Sequence, residues 1–502
     1  MPSIFSGEPS VRLIAWTAAP YDIAMASART CYSPGVVLPG EITPGQRERI
    51  GPGIWEAGHH TPFQHATFTF AIENVSRQFV WSFLHSHPYY NSDQTSQRYN
   101  LMGEPRLYAP KLDENRRRLY EEAALAAWDA YGKLAKLAQK ENFRLMQGLG
   151  KIKGQNEKQV MKEAENKAIE NARYVLPVAA FTSLYHTVSG LVLKRYQMMA
   201  SQCDCPSEAE TVVAKMIAEV EKIDPNFKMP VKRMKVKFSG NVDGDSFAKK
   251  FDSGLDGMRS KLVSYDKGAE EVVADAVREA VGIDLDDSDA IDLAVNPAKN
   301  PLLLETLNAW QNSPVTRALN HANYSFRKRI SHACDSQDQR HRTTPASRPL
   351  LSRLHTSRPD VVEPEIIAKN SEMHKIFTDT CKLLWKAKNE LIGVGVSPED
   401  VIYLLPNAVA LRFTETGRLI DLMHKWRMRT CFNAQEEIYN ISMEELAQVS
   451  SKHPRLTRYM GPPCFFRRGL VEGKGKEGPC PEGPRWCGID VWRNFPNVKR
   501  PF

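Results

Sequence analysis

Long apolar runs are missing from this chain. Among its 502 residues no uncharged apolar stretch reaches the roughly 18 residues that a membrane-spanning helix needs. The best candidate, residues 401–411, is short and is interrupted by Pro406. Cysteine is also scarce. Nine in the whole chain are too few for a disulfide scaffold, and free thiols fit a reducing compartment. Neither sign of charge dominates. With 67 Lys and Arg against 59 Asp and Glu, the net charge is +8, an excess that suits an anionic small molecule as well as nucleic acid and decides nothing alone. The first residues, MPSIFSGEPS, lack the basic-then-apolar pattern of a secretory signal, so the expected location is cytoplasmic. The remainder is ordinary: 42% hydrophobic and 25% charged residues describe a soluble globular protein. At roughly 100–200 residues per domain the length allows about two to four domains.

The chain repeats itself. Residues 11–32 resemble residues 260–281, each reading as a short strand, a turn and an amphipathic helix, with Arg29 opposite Arg278. Residues 70–87 resemble 326–342, and residues 173–187 resemble 402–416, where in both cases a Thr lies ten residues beyond a Pro. The three matches keep the same order in each half, which points to tandem duplication. The expected organisation is a first copy over 1–225, a linker over 226–256, a second copy over 257–460 and a Cys/Gly/Pro-rich tail over 461–502. The expected fold class is α/β, two tandem copies of a mixed sheet flanked by long helices. Asp113 reads as an N-cap, followed by a helical pattern that a Gly ends at 148. Residues 413–443 read as another long helix.

Several segments can carry chemistry. Arg340-His341-Arg342 sets one His between two Arg. On an extended segment the two guanidiniums share a face and can fork an anion; the bland alternative is a solvated basic stretch. Gln94, Ser96, Gln97 and Arg98 offer a hydroxyl, amides and a guanidinium, suited to a phosphate or ribose, or simply to a polar turn. His59, His60 and His65 cluster without a metal-ligand pattern, so no metal is assigned. Arg427 and Arg429 lie two apart on a helix, so one can face a site while the other meets solvent. In the tail, Cys464, Cys480 and Cys487 lack a CxxC pair. They read as free thiols, with a zinc site including His453 as the alternative.

At this point a resemblance becomes specific. HHTPFQHATFTFAI, VSR and SQRY resemble the N-terminal part of flavin-dependent thymidylate synthases, whose signature is Arg-His-Arg followed after seven residues by Ser. ENARYVLP and RTCFNAQEEI are similar to that family's C-terminal half. The resemblance covers most of both halves, and neither copy keeps the whole signature. The second keeps Gln337 and Arg340-His341-Arg342, but Leu350 stands where the Ser is expected. The first keeps Ser96-Gln97-Arg98-Tyr99 and has lost both arginines of the triplet. Arg429 matches a family arginine that helps ionise the pyrimidine, and Ala200 is its counterpart. Arg173 matches a phosphate-binding arginine, and Ile402 is its counterpart. The family's Asn-Ala-Arg element is absent from both copies.

The resemblance implies a composite site between the halves. Gln337, Arg340 and Arg429 from the second copy join Ser96, Gln97 and Arg98 from the first, with Arg173 remaining on the first, and the reciprocal site is dead. It implies reductive methylation of dUMP to dTMP, with FAD as cofactor and methylenetetrahydrofolate and NADPH as co-substrates. Arg429 takes the catalytic role and Thr61, Gln94, His341, Arg342 and His424 the cofactor-binding one. No Cys nucleophile is required. The implied assembly is a homodimer equivalent to four domains. The alternatives are a related flavin- and folate-dependent enzyme on another pyrimidine nucleotide, or an inactive nucleotide-binding homologue. A nucleic-acid binder is disfavoured, because no interleaved aromatic and basic stripe is present.

Overall fold

The computed structural model describes residues 5, 7–99, 103–232, 236, 238–240, 242–468 and 479–501. Parts of the expected linker (233–235, 237 and 241) and of the expected tail (469–478) lie outside the described residues. The chain is α/β and built from two sheets. The first has the order β1-β2-β4-β3, from Ser10–Trp16, Thr67–Ser76, Phe181–Ser189 and Asn91–Gln94. The second has the order β5-β6-β7, from Ser260–Tyr265, Asn323–Ser331 and Ala410–Arg418.

Both sheets were expected to be mixed, yet every ladder is antiparallel. The reason lies in β2 and β6. Phe68, Phe70 and Ile72, and likewise Tyr324 and Phe326, are buried while the residues between them are partly exposed. That alternation belongs to sheets with one covered face, whereas parallel sheets need both faces covered.

Asp113 does cap the long helix Glu114–Ile152, its side chain accepting from Arg116 N. The helix does not stop at Gly148 as expected. It runs on to Ile152 and ends where Gly154 takes φ +67°, because an interior Gly costs only about 1 kcal/mol whereas the left-handed turn requires one. The helix expected over 413–443 is instead the end of β7, then helices Leu419–Arg429 and Glu436–Lys452. Residues 410–418 pair with β6 along their whole length, and Gln435 caps the second helix by accepting from Ile438 N.

The expected linker is not merely turns. Asp243 caps a helix, Gly244–Ser253, and a Cβ on Gly244 would stand 2.2 Å from the His355 carbonyl oxygen. Asp252 pairs with Arg412 at 2.6 Å, and Pro230 O accepts from Trp55 Nε1 at 3.1 Å. The segment is pinned to both halves by ion pairs and hydrogen bonds that its composition did not advertise.

The halves meet about an approximate two-fold. Val178 N donates to Leu405 O (2.8 Å) and Ala179 N to Tyr403 O (3.0 Å); in return Asn407 N donates to Leu176 O and Ala408 N to Tyr174 O (both 2.8 Å). Pro177 and Pro406 face each other across this join. Ser76 N donates to Glu208 (2.7 Å), which also accepts from Tyr403 OH (2.8 Å). Ser331 N donates to Glu437 (2.7 Å), which accepts from Tyr174 OH (2.6 Å). Each carboxylate is thus held by a serine of its own half and a tyrosine of the other. The cores interlock too: Phe377, Leu384 and Leu391 of helix Ser371–Gly393 join the core of the first half, and Trp81 joins that of the second.

Candidate active site

A cavity of about 520 Å³ opens at this seam, within the roughly 300–1,000 Å³ range of small-molecule sites. Arg98, Lys167 and Glu170 line it from the first half, Arg429, Asn433 and Ala434 from the second. Helix Glu157–Ala172 presents Lys167 and Glu170 one above the other. Helix Leu419–Arg429 ends by presenting Arg429.

Arg98 is the crossing point. Its Nε donates to Glu170, and its Nη2 donates to Asn433 O across the seam at 3.0 Å. Arg98 N donates to Ser96 Oγ at 3.1 Å, which fixes the turn. Lys167 adds a second cation to Glu170 at 3.1 Å. Burial favours protonated Glu170, but Lys167, Arg98 and Arg173 prevail and hold it at about 2. Arg173 sits in the same place, its Nε donating to Glu170 O at 3.2 Å while Nη2 has no protein partner.

Arg429 comes from the other side. Its Nε donates to His341 Nε2 at 3.0 Å and its Nη2 to Gln337 O at 3.1 Å. Burial pushes Arg429 down to about 10; Asp338 opposes this, while Arg98 and Arg340 add to it. It is therefore charged at neutral pH, with two other guanidiniums in electrostatic reach. Gln337 and Gln97 are both buried, and Gln337 Oε1 and Gln97 Nε2 lack protein partners. Buried polar atoms without partners are costly, and these two lie beside the arginines, Gln337 through its carbonyl to Arg429 and Gln97 next to Arg98 in sequence.

The Arg-His-Arg triplet is not extended as expected. It follows helix His332–Asp338 in a turn, so its side chains diverge. Arg340 reaches Asp93 of the first half at 3.4 Å, Arg342 lies 4.9 Å from the Tyr90 ring centroid, and His341 turns inward. Arg427 does not meet solvent either. It is buried beside Trp310 and Phe466 and donates to Leu303 O at 2.6 Å, because the core has wrapped both faces of that helix.

The residues expected to bind cofactor divide. His341 and His424 have ring centroids 5.8 Å apart, burial holds both below their ordinary pKa, and His424 Nδ1 has no protein partner. His341 in turn accepts from Arg429 Nε, so the two rings stand beside that guanidinium. Gln94 instead accepts from Arg77 at 3.2 Å. Thr61 is exposed, before the first residue of β2, whereas the seam lies beyond its last. Ten residues of strand separate these ends, about 30 Å at the usual rise per residue. Thr61 does not reach this cavity within one chain.

Sequence reasoning missed Glu170, Asn407 and Asn433, which buffer and brace the arginines. Asn407 donates to Arg173 O at 3.0 Å and approaches Gln97 Oε1 at 3.5 Å. It directly follows Pro406, the residue used to find the repeat, which was the available signal. It also missed a buried ionic cage behind the triplet. Lys328 meets Asp338 at 2.9 Å and Glu445 at 2.8 Å, Lys425 meets Asp338 and Glu415 at 2.7 Å, and Lys328 also contacts Glu415; all five side chains have 0% exposure. Among the described residues no His, Cys, Asp and Glu group stands as a metal site, and His60 is taken up by Trp55 O at 3.0 Å.

The sequence model of a family described as thymidylate synthase complementing protein matches residues 12–226 and again residues 261–455. The chain belongs to this family. It is a tandem member, carrying two copies of the family unit. A flavin-dependent thymidylate synthase of Clostridium tetani is 29% identical over 221 residues, 43% of this chain and 84% of that protein. One from Geobacter sulfurreducens is 31% identical over 174 residues, 34% of this chain and 70% of that protein. A solved UMP/dUMP methylase, PolB from Streptomyces cacaoi, bound with 5-Br dUMP, aligns with 44% of this chain and 94% of its own at 19% identity and a TM-score of 0.30. Among the described residues no helix is long and apolar enough to cross a membrane.

Proposed function

We propose that this chain methylates the uracil ring of dUMP reductively, giving dTMP, at one composite site between its two family units. The observation that carries this reading is the meeting of Arg98 with the Asn433 loop in a cavity that Arg429 also lines. One residue from each partial signature, Arg98 of the first half and Arg429 of the second, lines that cavity. The names of the chain's relatives supply the chemistry, and the unsatisfied amides of Gln97 and Gln337 suit a nucleotide.

Arg98 and Arg340, with Ser96, hold the anionic nucleotide by charge-assisted hydrogen bonds. Gln97 and Gln337 pair with its polar edges, and Arg173 adds positive potential from behind. Arg429 is fixed before substrate arrives by His341 and the Gln337 carbonyl, so it stabilises negative charge developing on the uracil without reorganising. His341, His424 and Arg342 hold the flavin, which supplies hydride when bound; methylenetetrahydrofolate supplies the carbon and NADPH the reducing equivalents. Burial keeps both histidines neutral, so they offer hydrogen bonds without competing for the phosphate. Thr61 faces outward and serves the site of a second chain, in a homodimer equivalent to four family units.

The test is turnover. The purified protein should be yellow and should release label from C5 of dUMP with methylenetetrahydrofolate and NADPH, forming dTMP. Arg98→Ala should abolish this. If Arg98→Ala keeps full activity, the composite site is wrong. If UMP is methylated and dUMP is not, the site stands and the substrate assignment falls.

A further inference from the structure

One wall of the seam cavity belongs to neither family unit. The second family match ends at residue 455, yet Glu482, Pro484 and Arg485 line the cavity together with Arg98 and Arg429. They come from the C-terminal stretch 479–501, which bridges both halves. Val491 and Phe495 sit in the core of the second half. Gly488, at φ +86°, lies against helix Glu114–Ile152 of the first, where a Cβ on it would stand 3.3 Å from Lys153 Cγ. Two hydrogen bonds tie the stretch to the loop that Arg98 meets. Asn433 Nδ2 donates to Arg485 O at 2.7 Å, and Arg500 Nη2 donates to Ala434 O at 2.6 Å. The Asn433 carbonyl oxygen meanwhile accepts from Arg98 Nη2 at 3.0 Å. Residue 433 thus joins Arg98 on one side to Arg485 on the other.

The charges of the lining are unevenly matched. Lys153 meets Glu163 at 2.7 Å, and Lys167 and Arg98 both meet Glu170. Arg98 has given its Nε to Glu170 and its Nη2 to a carbonyl. Arg429 has given its Nε to His341 and its Nη2 to a carbonyl. Arg485 differs. Its backbone is held at both ends, since its N donates to Glu482 O at 3.0 Å and its carbonyl accepts from Asn433. Among the described residues its guanidinium makes no ion pair and no hydrogen bond. The chain fixes the residue and leaves the whole fork uncommitted. Glu482 can offset the charge of Arg429 or that of Arg485, not both, so the lining keeps a positive excess.

We propose that Arg485 is a substrate-binding residue, whose guanidinium closes on the phosphate of the bound nucleotide beside Arg98. The proposal rests on the reading that this cavity takes a pyrimidine nucleotide, and it adds a cation that neither family unit supplies. A phosphate monoester accepts paired charge-assisted hydrogen bonds from a guanidinium fork. Arg340, which shares its charge with Asp93 at 3.4 Å, and Arg98, with two of its nitrogens engaged, leave room for a further donor. Because the Arg485 backbone is already fixed, binding has only its side chain to order.

The test is equilibrium binding to the full-length protein. Arg485→Ala should weaken dUMP binding by about tenfold or more in calorimetric titration, as expected for one lost charge-assisted contact. It should raise KM for dUMP while kcat at saturation changes by less than about twofold. Deoxyuridine, which lacks the phosphate, should bind wild type and Arg485→Ala alike, and Arg485→Lys should recover part of the loss. Arg493→Ala, an exposed arginine of the same stretch that pairs with Asp490 at 3.0 Å, should leave dUMP binding unchanged. Should Arg485→Ala not fold, Arg485→Gln removes the charge with nearly the same length and serves the same comparison. Equal dUMP affinity in wild type and variant overturns the proposal and leaves the nucleotide reading intact. An equal loss for dUMP and deoxyuridine also overturns it, because that marks a disturbed wall and not a phosphate contact. If the wild type binds UMP or dCMP in place of dUMP, and Arg485→Ala loses that binding, the substrate reading falls and the proposal stands. Wild-type protein that binds no pyrimidine monophosphate overturns both.

Discussion

The two halves have the same plan and opposite interiors. Taking the Ser76–Glu208 and Ser331–Glu437 pairs as equivalent, and counting along the elements they anchor with allowance for the one-residue bulge of β2 between Ile72 and Val75, Lys328 corresponds to Ile72, Asp338 to Phe83, Glu415 to His186, Lys425 to Tyr196 and Glu445 to Met216. The second half fills these places with a fully buried ionic cage. The first fills them with an aromatic cluster, Phe83 lying 5.1 Å from His186 and 4.3 Å from Tyr196. The cage sits under the turn that carries Gln337, Arg340 and His341. Where that turn has lost its arginines, the charges beneath it are gone as well. Buried ions cost desolvation and are not a general route to stability. Their presence in one half alone ties them to holding Asp338, and with it the turn that follows. The first half specialised differently: its helical pair Glu114–Ile152 and Glu157–Ala172 lines the cavity.

The strongest way to break this comparison is at the arginines. Arg429→Ala should lower kcat for dTMP formation by about 10²–10³-fold, the usual loss when a preorganised charge-stabilising donor is removed, and Arg98→Ala should lose nucleotide binding as well. His87→Ala, at the position corresponding to Arg342, should leave steady-state kinetics unchanged, because the partners of His87 (Tyr89, Arg195 and Tyr196) belong to its own half. Calorimetric titration should count one dUMP per chain, although the chain carries two family units. Two sites per chain would show that the halves have not divided the work.

A second test addresses the interiors. Lys425→Met removes one cation from the cage and leaves Asp338 and Glu415 undercompensated. Denaturant unfolding should show a loss of about 3–5 kcal/mol, as for other broken buried pairs. At the corresponding place in the first half, Tyr196 OH is buried without a partner, so Tyr196→Phe should change stability by no more than about 0.5 kcal/mol. Equal losses at the two positions would mean that the contrast between cage and cluster is only one of composition.

Much of this was legible in the sequence. The repeat showed because helix caps, strand alternation and the two prolines recur in order, and the split signature showed because short motifs survive divergence. The cage did not show. Lys328 and Glu415 sit in strands that read as half-exposed, and only the sheet register reveals that β6 and β7 turn these charges toward Lys425. The turn at Arg340 was read as extended because three residues carry no periodicity of their own. The pinned segment before β5 was read as a linker because its Gly, Asp and Lys content resembles one, and ion pairs to distant residues such as Arg412 leave no local trace.

The smallest expected effect sharpens the comparison at the seam itself. Glu208 accepts from Ser76 and Tyr403, yet burial outweighs these bonds and raises its pKa to about 7. Glu437 is raised by the same cause and partly relieved by Arg259. A carboxyl whose folded-state pKa exceeds its unfolded value binds protons more tightly when folded. Its contribution to stability is complete below about pH 4.5 and is lost as pH rises through about 7. Unfolding free energy of the wild type should therefore fall across this window, by at most about 1.4 kcal/mol per pH unit for one group. Glu208→Gln keeps a carbonyl to accept from Ser76 and cannot ionise, so it should flatten the slope, more than Glu437→Gln does. A slope unchanged in Glu208→Gln would place the titrating group elsewhere and leave the two serine–carboxyl joins electrostatically alike.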